Sequence, residues 1–108
     1  MKLKLWAAAI IAILSTTAAH AGPTMKVNFK NKSDVTVTEI YLVLPNHPWD
    51  KNQIAGKPVP PGGRTLLYLV DGADKCVDRI KVVAEDGRAL EKLVRFCGNR
   101  TFEYHGRQ

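Results

Sequence analysis

Two cysteines lie symmetrically about a dipeptide that favours tight turns. Asp86-Gly87 is typical of the two-residue type I′ turn of a β-hairpin, which needs positive φ at both positions. Cys76 and Cys97 each lie ten positions from this turn, so the hairpin would place them opposite each other. They fall on a non-hydrogen-bonded pair, whose Cα atoms approach to about 4.5 Å, within disulfide range. The spacing therefore predicts a hairpin closed by a Cys76–Cys97 disulfide, with two free buried thiols as the alternative.

The same register predicts the other cross-strand neighbours of the hairpin. Asp78 would face Arg95, a favourable pair of opposite charges. Lys81 would face Lys92, an unfavourable pair of like charges. A β-bulge that shifts the register by one residue would relieve that repulsion, and the register therefore stays open.

The N-terminus predicts export to a compartment in which a disulfide persists. Lys2 and Lys4 precede an apolar run of ten residues, 5–14, and Ala19-His20-Ala21 matches a signal-peptidase site. A membrane anchor needs about 20 apolar residues, and a buried cytosolic helix would not need the basic start. We therefore expect a signal peptide over 1–21, a mature domain over 22–108 and a periplasmic or secreted location.

The mature chain has the pattern of a small all-β domain. Residues 35–44 are rich in β-branched side chains, but their inward phase switches midway, which predicts a bulge near Glu39 or burial of both faces near the strand's end. The connection 45–63 holds five prolines, which exclude a central strand. We expect an antiparallel β-sandwich of about six strands, or a small barrel, with strands over 26–30, 35–44, 64–70, 75–85, 88–97 and 100–105.

Charge limits the class of partner. The net charge is +6, and loss of Lys2 and Lys4 leaves +4. Positive charge suits anionic partners, but export argues against nucleic acid and the basic residues are scattered along the chain. We expect no nucleic-acid partner and no membrane insertion after cleavage. An unidentified protein or envelope component is the expected partner.

The long connection is the segment most suited to function. His47, Trp49 and Asp50 place an imidazole, an indole and a carboxylate within four residues. A binding loop would use Trp49 as its apolar anchor, with His47 and Asp50 as polar determinants. In the structural alternative, Trp49 and Ile54 fold back over one end of the sandwich and Asp50 caps a single helical turn.

No residue set indicates catalysis. Ser33 is the only serine after residue 21, and neither His47 nor His105 has a neighbour in sequence that marks a nucleophile and its base. Zinc sites need three or four ligands, which His47 and Asp50 do not supply. We therefore expect no catalytic residues, no metal, no cofactor and no enzymatic activity.

The order of several short motifs resembles a group of small exported bacterial proteins of uncharacterised function. The pattern is F-x-N-x-S, then tryptophan, then P-G, then two cysteines that bracket D-G. The residues that carry the resemblance here are Phe29, Asn31, Ser33, Ile40, Val43, Trp49, Pro61-Gly62, Cys76, Asp78, Asp86-Gly87 and Cys97. The resemblance implies a periplasmic β-sandwich with no activity to carry over. It also implies that the loop around Trp49 and Asp50 recurs in the group. Arg95 departs from the acidic or polar residue expected there.

Three functional classes follow from these observations. The leading hypothesis is a non-enzymatic periplasmic binding or accessory module that uses the long loop and a sheet face. The second is an inhibitor or immunity-type protein that blocks an envelope-acting enzyme, since small size, a disulfide and a protruding loop suit that role. A small hydrolase is third, and it would need His47 beside an acidic residue in a deep pocket.

Overall fold

The computed structural model describes residues 24–70 and 76–106, which form six strands in two three-stranded sheets. These described ranges contain no helix, and so none of the length and hydropathy that a membrane span requires. The predicted signal peptide, 1–21, lies outside them. The strands are β1 (Met25–Asn31), β2 (Val37–Val43), β3 (Arg64–Leu69), β4 (Val77–Ala84), β5 (Ala89–Arg95) and β6 (Thr101–Tyr104).

The two sheets have the orders β3-β1-β6 and β2-β4-β5. The predicted all-β, six-stranded sandwich is confirmed. Three of its four strand pairings are antiparallel, as expected, whereas β1 and β6 pair in parallel, from Asn28 opposite Thr101 to Asn31 opposite Tyr104. These two strands come from opposite ends of the domain, so no short hairpin loop constrains them to run antiparallel.

One hydrophobic core fills the space between the sheets. Alternate residues of each strand point inward, as the period of two requires. Phe29 stacks on Phe102 and Tyr104, with ring centroids 5.9 and 6.3 Å away. The fully buried apolar side chains come from both sheets: Met25, Val27, Phe29, Val37, Ile40, Leu67, Ile80, Val82, Phe96 and Tyr104.

The inward phase of β2 switches at a bulge, which is the first of the two alternatives that the sequence predicts, and Leu42 and Val43 near the strand's end are both buried as well. The register of β2 against β4 shifts between Val37 and Glu39. Val37 and Ile40 are both fully buried despite their odd spacing. The extra residue therefore keeps both halves of the strand facing the core.

The β4–β5 hairpin differs from the predicted register by one residue. Ala84 N–H donates to Arg88 O and Gly87 N–H to Ala84 O, both at 2.9 Å, so the loop has three residues, 85–87. Gly87 has φ of 90°, whereas Asp86 is not in the positive-φ region that a type I′ turn requires. The Asp86 side chain instead accepts Arg88 N–H at 3.0 Å. This is the three-residue turn with a glycine bulge, which the same Asp-Gly pair also favours.

The shifted register removes two of the predicted pairs, the like-charge pair Lys81–Lys92 and the ion pair Asp78–Arg95. Lys81 lies opposite Glu91 instead of Lys92. Arg95 lies opposite Val77, so the predicted pairing of Asp78 with Arg95 is wrong. The alternative prediction, a shift of the hairpin register by one residue, is therefore confirmed.

The disulfide between Cys76 and Cys97 is confirmed, with the two Cα atoms 4.7 Å apart. The prediction that the two cysteines lie directly opposite each other is wrong, because the shifted register places Phe96 opposite Cys76. Phe96 N–H donates the last ladder hydrogen bond to Cys76 O at 2.8 Å, and the disulfide lies just beyond it. The covalent bond therefore closes the open end of the hairpin.

Asn31, the polar residue of F-x-N-x-S, has a structural role. Its side chain is buried and donates to Val35 O at 2.8 Å and to Val59 O at 3.0 Å. Its carbonyl oxygen accepts Ser33 N–H at 3.0 Å and the Ser33 hydroxyl at 2.6 Å. All its hydrogen-bonding capacity is used within the fold, which is what burial of an amide requires.

Asp78 is the second buried polar residue, and its carboxylate has no hydrogen-bond partner among residues 24–70 and 76–106. It shares the inward face of β4 with Ile80 and Val82, and its exposure is zero. Neither carboxylate oxygen receives a hydrogen bond. Burial raises the pKa of Asp78 from 3.8 to about 6, because an apolar surrounding disfavours the charged form.

Candidate functional site

The long connection begins with a tight exposed turn. His47 N–H donates to Leu44 O at 3.2 Å, with Pro45 second and Asn46 third in the turn. Asn46 has φ of 67°, and proline followed by asparagine at positive φ is the pattern of a type II turn. The His47 Nδ1 lies 3.1 Å from Pro45 O, so the imidazole packs against the turn itself. The tip is thus fixed by local geometry while staying in solvent.

Trp49 lies on the outer face of the β2-β4-β5 sheet and not in the core. The guanidinium carbon of Arg79, on β4, is 4.2 Å from the centroid of the indole ring. Arg79 Nη1 also donates to His47 O at 3.0 Å. One cation therefore holds both the ring and the backbone of this segment against the sheet.

The outer face around Trp49 is aromatic and basic, with acidic residues beside it. The Tyr41 ring is 6.3 Å from the Trp49 ring, and Lys81 Nζ is 5.5 Å from Tyr41 and 5.8 Å from Trp49. The Tyr41 hydroxyl donates to Glu39 Oε1 at 2.6 Å, and this hydrogen bond raises the pKa of Tyr41. On the other side, Lys81 pairs in register with Glu91.

A cleft of about 710 Å³ lies between this segment and the end of β3. His47, Trp49 and Asp50 all line it, so the structure brings the three predicted site residues into one cleft. The opposite wall includes Tyr68 and Val70, whose side chains are 49% and 57% exposed. Such exposed apolar surface beside polar groups is available for contact with another molecule.

A second, shallower cleft of about 470 Å³ lies on the other side of the indole. Arg79, Glu91 and Leu93 line it together with Trp49 and the turn residue Pro45. Trp49 therefore separates two clefts and contributes surface to both. We call the first the β3 cleft and the second the β5 cleft.

The second half of the connection, 52–63, has a different role. The Asn52 side chain accepts Ile40 N–H at 2.9 Å and Ile54 N–H at 3.1 Å, and it donates to Thr38 O at 3.3 Å. Val59 exchanges two backbone hydrogen bonds of 2.9 Å with Val37. These contacts cover the free edge of β2.

Gln53 covers part of the free edge of β3 in the same way. Its side-chain amide accepts Tyr68 N–H and donates to Tyr68 O, both at 2.8 Å. Its own N–H donates to Ile40 O on β2 at 2.9 Å. One residue thus joins the edges of the two sheets and satisfies backbone groups that would otherwise face solvent.

The structural alternative for the connection is right for one residue and wrong for two. Ile54 does reach the core, where its side chain is 2% exposed. Trp49 does not fold over the end of the sandwich, because Arg79 holds it on the sheet face. Residues 49–52 form no helical turn, so Asp50 caps none.

Across 24–70 and 76–106, no group of three or more His, Cys, Asp or Glu side chains is placed to hold a metal ion. The His47 ring has the carbonyl of Pro45 as its neighbour. His105 contacts Glu103 at 3.4 Å on β6, where it lines neither the β3 cleft nor the β5 cleft.

Sequence reasoning missed the partners that complete the site. Arg79, Lys81 and Tyr41 occupy outward positions of β4 and β2, a placement that alternation with the buried Ile80 and Leu42 does indicate. No sequence signal shows that Trp49 packs on these residues, because the path of the proline-rich loop is set by tertiary contacts.

No protein-family model, curated protein or solved structure significantly matches this chain. The resemblance to small exported bacterial proteins therefore remains a prediction.

Proposed function

We propose that the chain is a non-enzymatic binding or accessory module of the bacterial periplasm, which holds a protein or an envelope component against Trp49. The observation that carries this proposal is the position of the indole. The indole of Trp49 is a large apolar ring that lies at the surface, outside the core and between the two clefts. Arg79 holds it there.

The composition of the β3 cleft supports a binding role. Tryptophan, tyrosine and arginine are the residue types that contribute most energy at interfaces. Here Trp49 and Tyr68 line the β3 cleft, while Asp50 and Lys51 supply charges of both signs within it. Because Arg79 packs on the ring, little side-chain entropy would be lost on binding.

The all-β fold with a disulfide supports an oxidising location outside the cytoplasm. The finer assignment to the periplasm rests on the signal-peptide pattern of residues 1–21. Mass measurement of the chain recovered from the periplasm of an expressing bacterium tests it. A processed species that begins at Gly22 is expected, and an unprocessed cytoplasmic chain would contradict the assignment.

Affinity capture tests the binding role directly. Protein carrying an affinity tag is incubated with envelope extract, in parallel with Trp49→Ala and with Leu66→Ala as the matched control. Leu66 is an exposed apolar residue on β3, 44% accessible, and it lines neither of the two clefts. We expect Trp49→Ala to lose a component that the wild type and Leu66→Ala both retain. Equal recovery of every component by all three proteins would refute the role of the loop.

A second candidate is an inhibitor or immunity-type protein that acts on an envelope enzyme. The type II turn at Leu44–His47 favours it, because a proline-fixed exposed tip is preorganised for insertion into a partner's active site. A gene for a toxin or hydrolase next to this one would support it. Inhibition of that enzyme by the wild type, and its loss in a Pro45→Gly variant, would decide in its favour.

A further inference from the structure

The free edge of β5 differs from the other three sheet edges of the described residues. Asn52 and Val59 cover the edge of β2, and Gln53 covers part of the edge of β3. The edge strand β6 has only four residues. β5 has seven, and no described residue pairs with its outer side. A long uncovered edge is a template for another strand.

The backbone register identifies which groups of β5 are free. Hydrogen bonds at both ends of the β4–β5 ladder join Phe96 to Cys76 and Ala84 to Arg88. Hydrogen-bonded pairs recur at every second residue, so the even-numbered residues of β5 face β4. The N–H and C=O groups of Glu91, Leu93 and Arg95 therefore point away from the sheet.

The side chains on this edge suit one particular partner, a second copy of β5. Leu93 is 60% exposed, the highest value among the large hydrophobic side chains of the described residues. Glu91 and Arg95 lie two positions to either side of it and carry opposite charges. An antiparallel copy related by a twofold axis at Leu93 would place leucine opposite leucine and each Glu91 opposite an Arg95.

Charge favours this register over those with the axis at Lys92 or Glu91. A twofold axis at Lys92 would place two lysines opposite each other, and an axis at Glu91 would place two glutamates opposite each other. Like charges directly opposite are destabilising in a sheet. With the axis at Leu93, Lys92 faces Val94, and the free backbone groups of the two copies are in phase for hydrogen bonding.

We infer that the chain forms a twofold homodimer through antiparallel pairing of β5, which joins the two β2-β4-β5 sheets into one of six strands. The β5 cleft of each copy then lies beside the twofold axis, since Glu91 and Leu93 belong to both surfaces. An interface of one strand per copy is small, so the dimer dissociates on dilution. This inference does not depend on the proposed binding function.

Sedimentation equilibrium of the oxidised, processed chain from micromolar to millimolar concentration tests the dimer. Leu93→Lys places two lysines on the twofold axis, and we expect its dissociation constant to rise by about tenfold or more. Leu66→Lys, the same change at an exposed leucine of β3, should dimerise as the wild type does. A wild type that stays monomeric throughout, or a Leu93→Lys variant that dimerises unchanged, would overturn the inference.

A charge exchange tests the register. Glu91→Arg and Arg95→Glu should each weaken the dimer about fivefold, because each places like charges opposite one another. The double variant restores opposite charges across the axis, and its dissociation constant should return to within about twofold of the wild type. Thermal melting checks that each variant folds, since Glu91 also pairs with Lys81 inside the chain. Failure of the double variant to recover dimerisation would exclude this register.

Discussion

The two halves of the long connection both contain prolines but have opposite structural roles. Residues 45–51 are fixed by their own turn and by Arg79, and they carry Trp49 on the surface of the sheet. Residues 52–63 are fixed by the backbone of β2 and β3, and they carry Ile54 into the core. One loop can thus contribute both to the scaffold and to the binding site. The residues that each half contacts within the fold determine which of the two roles it has.

The largest expected difference in stability between the two halves comes from truncating the apolar residue of each. Ile54→Ala should lower the free energy of unfolding by about 3 kcal/mol, because it leaves a cavity in the core. Trp49→Ala removes a larger side chain but should cost only about 1 kcal/mol, since it loses a surface cation–π contact. Urea denaturation measures both. Equal losses would mean that the two halves do not differ as the structure indicates.

The polar anchor of the second half gives the next largest effect. Asn52→Ala removes three hydrogen bonds and leaves Ile40 N–H and Ile54 N–H without their acceptor. We expect a loss of about 2 kcal/mol. Asp50→Ala, two positions earlier and exposed, should change stability by less than about 0.5 kcal/mol. A comparable loss in both variants, measured by urea denaturation, would contradict the assignment of Asn52 as the anchor.

Asp78 lies in the core, and its carboxylate receives no hydrogen bond from either half of the connection. Its pKa is about 6 in the folded state against 3.8 ordinarily, so the folded protein binds this proton more tightly than the unfolded chain does. Stability should therefore fall as the pH rises from about 4 to about 6, by about 1–2 kcal/mol from this group, and stay lower above that range.

The Asp78→Asn variant isolates this effect, since an amide does not titrate. Unfolding free energies of both proteins are measured across the same pH range. The wild type should lose stability relative to Asp78→Asn as the pH rises. A constant difference between the two, independent of pH, would show that the carboxylate does not titrate in this range.

Truncation of Arg79 should have only a small effect on stability, and the structural change should be confined to the surroundings of Trp49. Arg79→Ala should cost about 1 kcal/mol or less, because the cation–π contact and one hydrogen bond lie near the surface. The indole should become more exposed, with a red-shifted emission and faster acrylamide quenching. Arg88→Ala, a surface arginine away from Trp49, is the matched control. Unchanged emission in Arg79→Ala would mean that this residue does not position the ring.

Much of the fold could be predicted from the sequence, because local patterns specify it. Alternation predicts the strands, and the phase switch gives a bulge near Glu39 as one of two alternatives. Equal spacing about Asp86-Gly87 predicts the Cys76–Cys97 disulfide. The hairpin register could not be fixed, because Asp-Gly suits both a two-residue and a three-residue turn. That single residue replaced the predicted partner of Asp78, Arg95, with Val94. The burial of Asp78 itself follows from alternation with Ile80 along β4.

The site could be predicted only in part. The proximity of His47, Trp49 and Asp50 in sequence did carry over into one cleft. Their partners Arg79 and Tyr68 come from strands in different sheets, and only tertiary packing brings them together. The hydrogen bonds by which Asn52 and Gln53 cover the sheet edges could not be predicted either. The sequence of a loop does not indicate which backbone groups its polar side chains will bind.

The position of Trp49 gives the protein an optical reporter of its own. The chain has two tryptophans, and Trp6 lies in the predicted signal peptide, so removal of residues 1–21 leaves a single indole. That fluorophore stands between the β3 cleft and the β5 cleft, with a cation against its ring. Occupancy of either cleft would change its emission, and titrations can therefore be followed without attaching a label.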